Sequence, residues 1–550
     1  MAVGKKTKVL NRKTIVVIGA ALAGPTAAAR AREIDENAEI ILLERNTRVS
    51  YAMSGLALHL SGEVPSLDEL NREREEFFRQ VYNIDVRTET EVEEIDAKKK
   101  CVYTKTHGKT AVINYDKLIF AAGAASLHPV GAKEAVNFRY FRTLDDLAAI
   151  RASLDAGKKR FVILGGGSMG AEALDGLVRG GAEVTLIEKK QYFLPDYCAE
   201  IAGIAATTLG TKARLMAGVK QLDFKNEGGR ITAVVADKTR IETDFIVSAI
   251  GVRPRTELLK KAGVKIKADG SIPVDRECRT NVKDIYACSI CVSVPDGKDT
   301  NWIPQAALSD KTAQIAGENV AGGKARLGFI SGSQIIRLPG IEIGRTGPTY
   351  AQAIRKYGKG KVESVFIHAR DIEPYMPGSA PLALKLYYLK KKQTLIALEA
   401  AGHNIKPRLD TFSAALAGAL TLADLMTLDL AYTPAFATAR DALNAAATVA
   451  LQKEAGLTAL ITPAEIRTQR KKYFVLDVSL EATHAGFHDL HIPLEKLRDS
   501  LSVLAAKLKA TKAKQIACLS ETGRRGHLAL RILKQAGFTA ANISGGKRQA

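Results

Sequence analysis

Cysteine is scarce in this sequence: six in 550 residues, too few for a disulfide framework and in keeping with a reducing compartment. Long apolar runs are missing as well. The longest, around Ala414–Met426, is interrupted by Asp424 and is too short to span a bilayer, so no membrane partner is expected. Met1–Lys13 holds five basic residues and no acidic one and lacks the apolar core of a signal peptide; a cytoplasmic location is expected. Aromatic residues make up only 6%. No basic stretch interleaves with them as single-strand binders require, which argues against nucleic acid. His484, His488 and His491 lie close together, but no Cys or carboxylate set accompanies them at ligand spacing, and no metal is expected. With 46% hydrophobic and 25% charged residues, the chain is neither disordered nor collagen-like. Its length calls for several domains.

What is present in excess is positive charge, 80 Lys and Arg against 59 Asp and Glu. The excess is uneven. Ala446–Ala550 alone holds 17 basic and 8 acidic residues, and the first residues add five more cations. Such a distribution favours small acidic molecules or an acidic protein surface as partners.

Two segments share one pattern. Thr14–Gly19 is a β-branched run ending in glycine, Pro25 suits a helix's first turn, helix formers follow, and Glu39–Leu43 is a second strand ending at Glu44. The pattern recurs as strand Phe161–Leu164, a glycine turn, helix Glu172–Arg179, strand Glu183–Ile187 and Glu188. Each is a β-turn-α-β unit of dinucleotide-binding type. In the first turn Gly19 permits the tight bend and Gly24 the close helix–strand packing, while Ala21 takes the middle position. In the second all three glycines, Gly165, Gly167 and Gly170, are present. The helix N-termini supply N–H groups and a positive dipole end for a pyrophosphate. Glu44 and Glu188 stand where a carboxylate binds ribose hydroxyls, and at Glu188 it repels a 2′-phosphate, so NADH is preferred over NADPH. Further on, Ile335–Leu398 alternates as an antiparallel sheet does, Thr411–Leu451 reads as helical, and Tyr473–Val478 and Gln515–Leu519 read as buried strands separated by helical Leu494–Lys509.

At this point the sequence resembles the flavin-dependent pyridine nucleotide–disulfide oxidoreductases. More narrowly it resembles the coenzyme A-disulfide and NADH-dependent persulfide reductases that carry a C-terminal rhodanese domain. Ala121-Ala122-Gly123-Ala124 is similar to the family's flavin-side turn, and Gly251-Val252-Arg253-Pro254 and Asp284-Ile285-Tyr286-Ala287 stand where the family has GVRP and DIYA. Tyr375-Met376-Pro377-Gly378 and Tyr432-Thr433-Pro434 are similar to its dimer-domain tyrosine segments, and Ser544-Gly545-Gly546 to its rhodanese terminus. The resemblance implies FAD, NAD(P)H, a homodimer, and small anionic substrates such as CoA derivatives or sulfur species. The expected fold is α/β: an FAD-binding domain in two parts (1–150 and 271–327), an NAD(P)-binding domain (151–270), an α+β dimerisation domain (328–450) and a rhodanese-like α/β domain (460–550). It further implies flavin-side contacts at Arg45, Ala122, Gly123 and Gly251, a nicotinamide-side role for Glu172, CoA phosphates near Arg30 and Arg32, and active-site tyrosines at Tyr375 and Tyr432.

Three departures touch the chemistry. Ser54 stands at the family's redox cysteine, and a hydroxyl forms neither a thiolate nor a mixed disulfide. In the rhodanese loop, of the form Cys-x-x-Gly-x-Arg in the family, Ser520 stands at the nucleophile, with Gly523 and Arg525 following. A competing register makes Cys518 the nucleophile of a Cys-x5-Arg loop ending at Arg524. Finally, Ile290 replaces the acid that binds the flavin's ribityl chain, which removes a charge-assisted hydrogen bond of about 1.5–3 kcal/mol. Cys288 and Cys291 form a formal CxxC beside it; they read either as buried small residues or as a replacement redox pair. The expected function is therefore flavin-mediated electron transfer from NAD(P)H to a non-disulfide acceptor, without sulfurtransferase activity. The alternative is a catalytically degenerate nucleotide- or CoA-binding scaffold or regulator.

Overall fold

The computed structural model describes residues 12–132, 135–297, 299–481 and 487–548; His484 lies outside them. The chain divides into two units, one extending to Phe193 and resuming over Gly210–Gly332, the other made of Leu194–Leu209 and Ser333–Ala550.

In the first unit the β-branched runs become the central strands of two five-stranded parallel sheets. One has the order Ile285–Ala287, Lys117–Phe120, Thr14–Ile18, Glu39–Leu43, Asp85–Arg87. The other runs Arg214–Met216, Glu183–Ile187, Arg160–Leu164, Phe245–Ser248, Phe138–Tyr140. Strands buried on both faces read as continuous apolar runs rather than alternating ones, as TIVVI and RFVIL do. In each sheet the strand order reverses at the strand that feeds the glycine turn, the point at which such sheets bind ligands. Three-stranded antiparallel sheets decorate both, over Thr90–Asn114 and Leu222–Glu242. Helices Ala23–Ile34 and Ala306–Val320 pack through small residues. A side chain at Gly317 would stand 2.3 Å from the Ala27 carbonyl oxygen.

The second unit contains a five-stranded antiparallel sheet in the order Gln334–Leu338, Ile341–Thr346, Leu395–Gly402, Pro381–Leu389, Val362–Arg370. Leu384, Leu386 and Leu398 on one face pack on Leu409, Phe412 and Leu443 of the helices Lys406–Ala417 and Ala442–Glu454. The opposite face packs Ala353, Tyr387 and Ala397 in a smaller apolar cluster and also buries polar groups. There Glu399, 1% exposed, accepts the Cys198 N–H at 2.6 Å, and Lys385 pairs with Glu200 at 2.6 Å. The helical run expected over Thr411–Leu451 is broken. Helix Leu422–Thr427 is capped by Thr421 and the last helix by Asp441, and 428–441, with Pro434, is irregular. Similarly, Leu494–Lys509 holds only a helical turn, Leu494–Lys496, and a helix, Leu501–Lys509.

The C-terminal residues of this unit form a parallel sheet ordered Leu460–Ile461, Ala540–Ile543, Gln515–Leu519, Tyr473–Asp477, Leu490–His491. Ser479, Ser520 and Ser544 follow the C-terminal ends of these strands, the edge at which α/β sheets place ligands.

Candidate active site

The two glycine turns repeat one construction. Gly19 has φ 97° and Gly165 φ 100°, values that L side chains seldom adopt. A Cβ on either would stand 2.7 or 2.6 Å from a carbonyl oxygen of the neighbouring strand's end, Ala121 or Ala249. Gly24 and Gly170 sit one helical turn on, and a Cβ there would come within 1.8 Å of the Gly19 and Gly165 carbonyl oxygens. Downstream, Glu44 Oε2 accepts the Ala20 N–H at 2.7 Å, and Glu188 Oε2 accepts the Gly166 N–H at 2.6 Å. Each carboxylate's other oxygen takes a second backbone N–H, from Asn46 at 2.9 Å and Lys190 at 2.6 Å. A carboxylate has about four acceptor sites, so both keep capacity for a ribose while bracing their turn. Neither helix N-terminus carries a side-chain cap, which leaves its N–H groups for a diphosphate. A side chain at Gly167 would meet nothing within 4 Å: the second cradle is open at its middle position, where the first holds the half-buried Ala21.

Three arginines gather beside the first cradle, only one of which the sequence singled out. Burial, then the charges of Arg45 and Arg142, lowers the Arg255 guanidinium to about 10, while Glu44 and Tyr51 act in the opposite sense. Burial lowers Arg142 too, against Tyr51 and Asp146. Such a concentration of like charge suits a diphosphate. Arg255 donates its backbone N–H to the Gly123 carbonyl at 3.0 Å, so Gly123 and Ala122 lie on this side, and Gly251 approaches Leu127. The turns, Glu44 and the arginines fit FAD in the first cradle, and the open second turn with Glu188 fits NAD(P)H.

Ser54 is exposed on the short turn Met53–Gly55 that leads into helix Leu56–Leu60. That helix packs on Ser168–Arg179, where a Cβ on Gly176 would stand 2.7 Å from the Ala57 carbonyl oxygen and one on Gly180 2.6 Å from that of Leu60. Glu172 is one turn before Gly176 on the same helix face. Burial, helped by the charge of Asp175, raises its carboxyl to about 7.

No cysteine takes over from Ser54 among the described residues. Cys288 and Cys291 are fully buried in two different cores, one with Cys278 and Ala313, the other with Phe120 and Val292. Burial pushes Cys288 far up and Cys291 to about 12, so this pair is not an exposed redox couple. Cys518, in the strand core with Phe474 and Leu530, is likewise pushed to about 12. It is a packed strand residue and not a loop nucleophile. At Ile290 the backbone carbonyl accepts the Trp302 indole N–H at 2.7 Å.

The arginines expected to meet CoA phosphates are engaged. Arg32, 4% exposed, commits four of its five N–H donors to the carbonyls of Tyr82, Asp35, Glu36 and Asn83, and Arg30 pairs with Glu33 and Glu318. In the C-terminal loop, Ser520 Oγ accepts the N–H groups of Gly523 and Gly526, each at 3.1 Å. Arg525 donates to the Val478 carbonyl and pairs with Glu495. Tyr375 and Tyr432 are exposed on the second unit, with Tyr432 Oη donating to Glu373 at 3.3 Å. His488 and His491 lie with ring centroids 6.3 Å apart, and no metal-binding group of His, Cys, Asp and Glu occurs among the described residues.

Residues 13–310 match the family described as pyridine nucleotide-disulphide oxidoreductase, and residues 338–443 match the dimerisation domain of the same family. The chain belongs to this family. It is 30% identical over 441 residues to the NAD(P)H coenzyme A polysulfide/persulfide reductase of Pyrococcus horikoshii, covering 78% of this chain and 97% of that protein. To an NADH oxidase of Methanocaldococcus jannaschii it is 28% identical over 452 residues, with 80% and 98% covered. Among solved structures, a NAD-dependent persulfide reductase from A. fulgidus matches with a TM-score of 0.90 at 29% identity, over 97% of this chain and 99% of that one. Family membership makes the chain a flavin-dependent oxidoreductase with FAD and NAD(P)H as cofactors. Among the described residues no helix is long and apolar enough to cross a membrane.

Proposed function

We propose that this oxidoreductase passes electrons from NADH through FAD to a small acceptor that is not a disulfide. The observation that carries the reading is the conjunction of two dinucleotide cradles, each with its glycine turn and acidic residue, with a hydroxyl, Ser54, where the family's chemistry needs a thiolate. FAD, when bound, supplies hydride acceptance and onward electron transfer, which need no amino-acid nucleophile. The chain's own residues bind and orient. Glu44 and Glu188 brace the turns and hold ribose hydroxyls, and the helix N-termini with Arg45, Arg142 and Arg255 hold phosphates. Glu188 disfavours a 2′-phosphate and so selects NADH. Glu172, a carboxyl that changes charge near neutral pH, orders the nicotinamide end of the site.

Dimerisation follows through the 338–443 domain, where Tyr375, Tyr432 and Phe436 are 70%, 47% and 72% exposed and offer aromatic anchors to a second copy. The C-terminal domain is rhodanese-like without sulfur transfer: a serine carries no persulfide. That domain is also the specific observation behind the alternative reading, a degenerate scaffold or regulator, because its loop is closed upon itself. Steady-state assays of FAD-loaded protein separate the two. NADH-dependent reduction of oxygen or a quinone, with none of CoA disulfide, supports the enzyme. A protein that takes up FAD and NADH without turning over any acceptor favours the scaffold, and turnover of CoA disulfide contradicts the non-disulfide reading.

A further inference from the structure

The site at Ile290 contains a residue that the loss of the ribityl acid leaves in view. Ser289, just before it, has φ 82°, a region costly for a residue with a side chain, and such strain is held at functional sites. Its backbone N–H is fixed by Thr312 Oγ1 at 3.2 Å, and its hydroxyl oxygen accepts from Ser309 Oγ at 3.3 Å. Thr312 and Ser309 are themselves buried, Thr312 completely. The Ser289 oxygen is thus supplied with a donor, and its own proton is left to be given outward. What it faces is the flavin-side turn. From the place a Cβ would occupy on Gly123, Ser289 Oγ lies 3.8 Å away, Ile290 Cγ1 3.9 Å and Arg142 Nη2 4.0 Å. No carboxylate among the described residues forms an ion pair with Arg142. A hydroxyl donor, an apolar wall and a guanidinium therefore converge on the bare backbone of Gly123.

We propose that Ser289 is this chain's anchor for the polyhydroxy chain of FAD, donating its hydroxyl proton to a ribityl oxygen. Where a carboxylate would accept from that chain, Ser289 donates to it, so the polarity of the contact is reversed, and Arg142 beside it adds a cation rather than needing to neutralise an acid. The inference rests on the FAD reading above.

The test uses the full-length apoprotein titrated with FAD, with flavin fluorescence as the readout, and the melting temperature of the apoprotein measured alongside. Ser289→Gly removes the hydroxyl and relieves the strain; Ser289→Ala removes the hydroxyl alone. The expected result is FAD affinity about 3- to 10-fold weaker in both variants, with the Ser289→Gly apoprotein melting no lower than the parent. Unchanged FAD affinity in both variants overturns the proposal. A fall in the melting temperature of both that accounts for the weaker binding also overturns it, since that is the signature of a packing role. If the parent protein itself binds no FAD, the functional reading fails and takes this inference with it; parent binding with indifferent variants fails this inference alone.

Discussion

Ser520 Oγ accepts the backbone N–H of Gly526 at 3.1 Å, and that of Gly523 at the same distance, from a position 1% exposed. The serine thereby consumes, from inside the loop, donors that an anion held there would need. With a serine at this position the loop is closed upon itself. Ser520→Ala is expected to leave two buried N–H groups unsatisfied and to cost about 1–3 kcal/mol. Faster amide exchange at Gly523 and Gly526, with a lower melting temperature for the C-terminal domain, is the measurement. Unprotected amides in the parent protein would contradict the geometry.

The second cradle distinguishes two glycines by what surrounds them. Gly170→Ala drives a Cβ to 1.8 Å from the Gly165 carbonyl oxygen, with an expected cost of about 3 kcal/mol. Gly167→Ala meets nothing within 4 Å and should leave stability unchanged while weakening NADH, because the added methyl stands where the pyrophosphate approaches. Thermal melts and NADH binding measured on both variants check the contrast.

Glu172 predicts a pH signature. Its ordinary value is 4.5 and burial raises it to about 7, so between those values the folded protein holds a proton that the unfolded chain has released. Stability from this site is complete below about 4.5 and declines as pH rises through about 7, by on the order of 3 kcal/mol in total. Asp175, on the same helix, is the charge that adds to the shift. Glu172→Gln should flatten that part of the stability–pH curve, read by denaturant melts across this range. An unchanged slope would place the titration elsewhere.

The Glu188 carboxylate sits between Gly166 N and Lys190 N. Glu188→Ala should narrow the NADH over NADPH preference about tenfold, the scale of one lost electrostatic contact. The ratio of kcat/KM for the two cofactors measures it.

The parts of the site read from sequence are those whose signal is local. Gly19, Gly24, Gly165 and Gly170 are fixed by spacing within one turn, and Glu44 and Glu188 by the length of a β-α-β unit. The misplaced residues are those whose partners are distant. Arg32 looks like a free cation on a helix, yet its guanidinium closes the helix end and reaches the Tyr82 and Asn83 carbonyls; its position in the last turn was the available signal. Cys288 and Cys291, by contrast, are the buried small residues that one reading of their spacing expects, each in a different core. Arg142 and Arg255 carried no motif, and only the fold brings Arg255 to Glu44 and Arg142, and Ser289 to Gly123.

In the proposed function, electrons cross this protein through flavin without a thiol relay. Anaerobic titration of the FAD-loaded protein with NADH, followed in the visible spectrum, tests it most directly. One equivalent of NADH is expected to bleach the flavin band fully, with no thiolate–flavin charge-transfer band and no sensitivity to prior alkylation by iodoacetamide. A flavin that NADH leaves oxidised, or a charge-transfer band that alkylation abolishes, would contradict it.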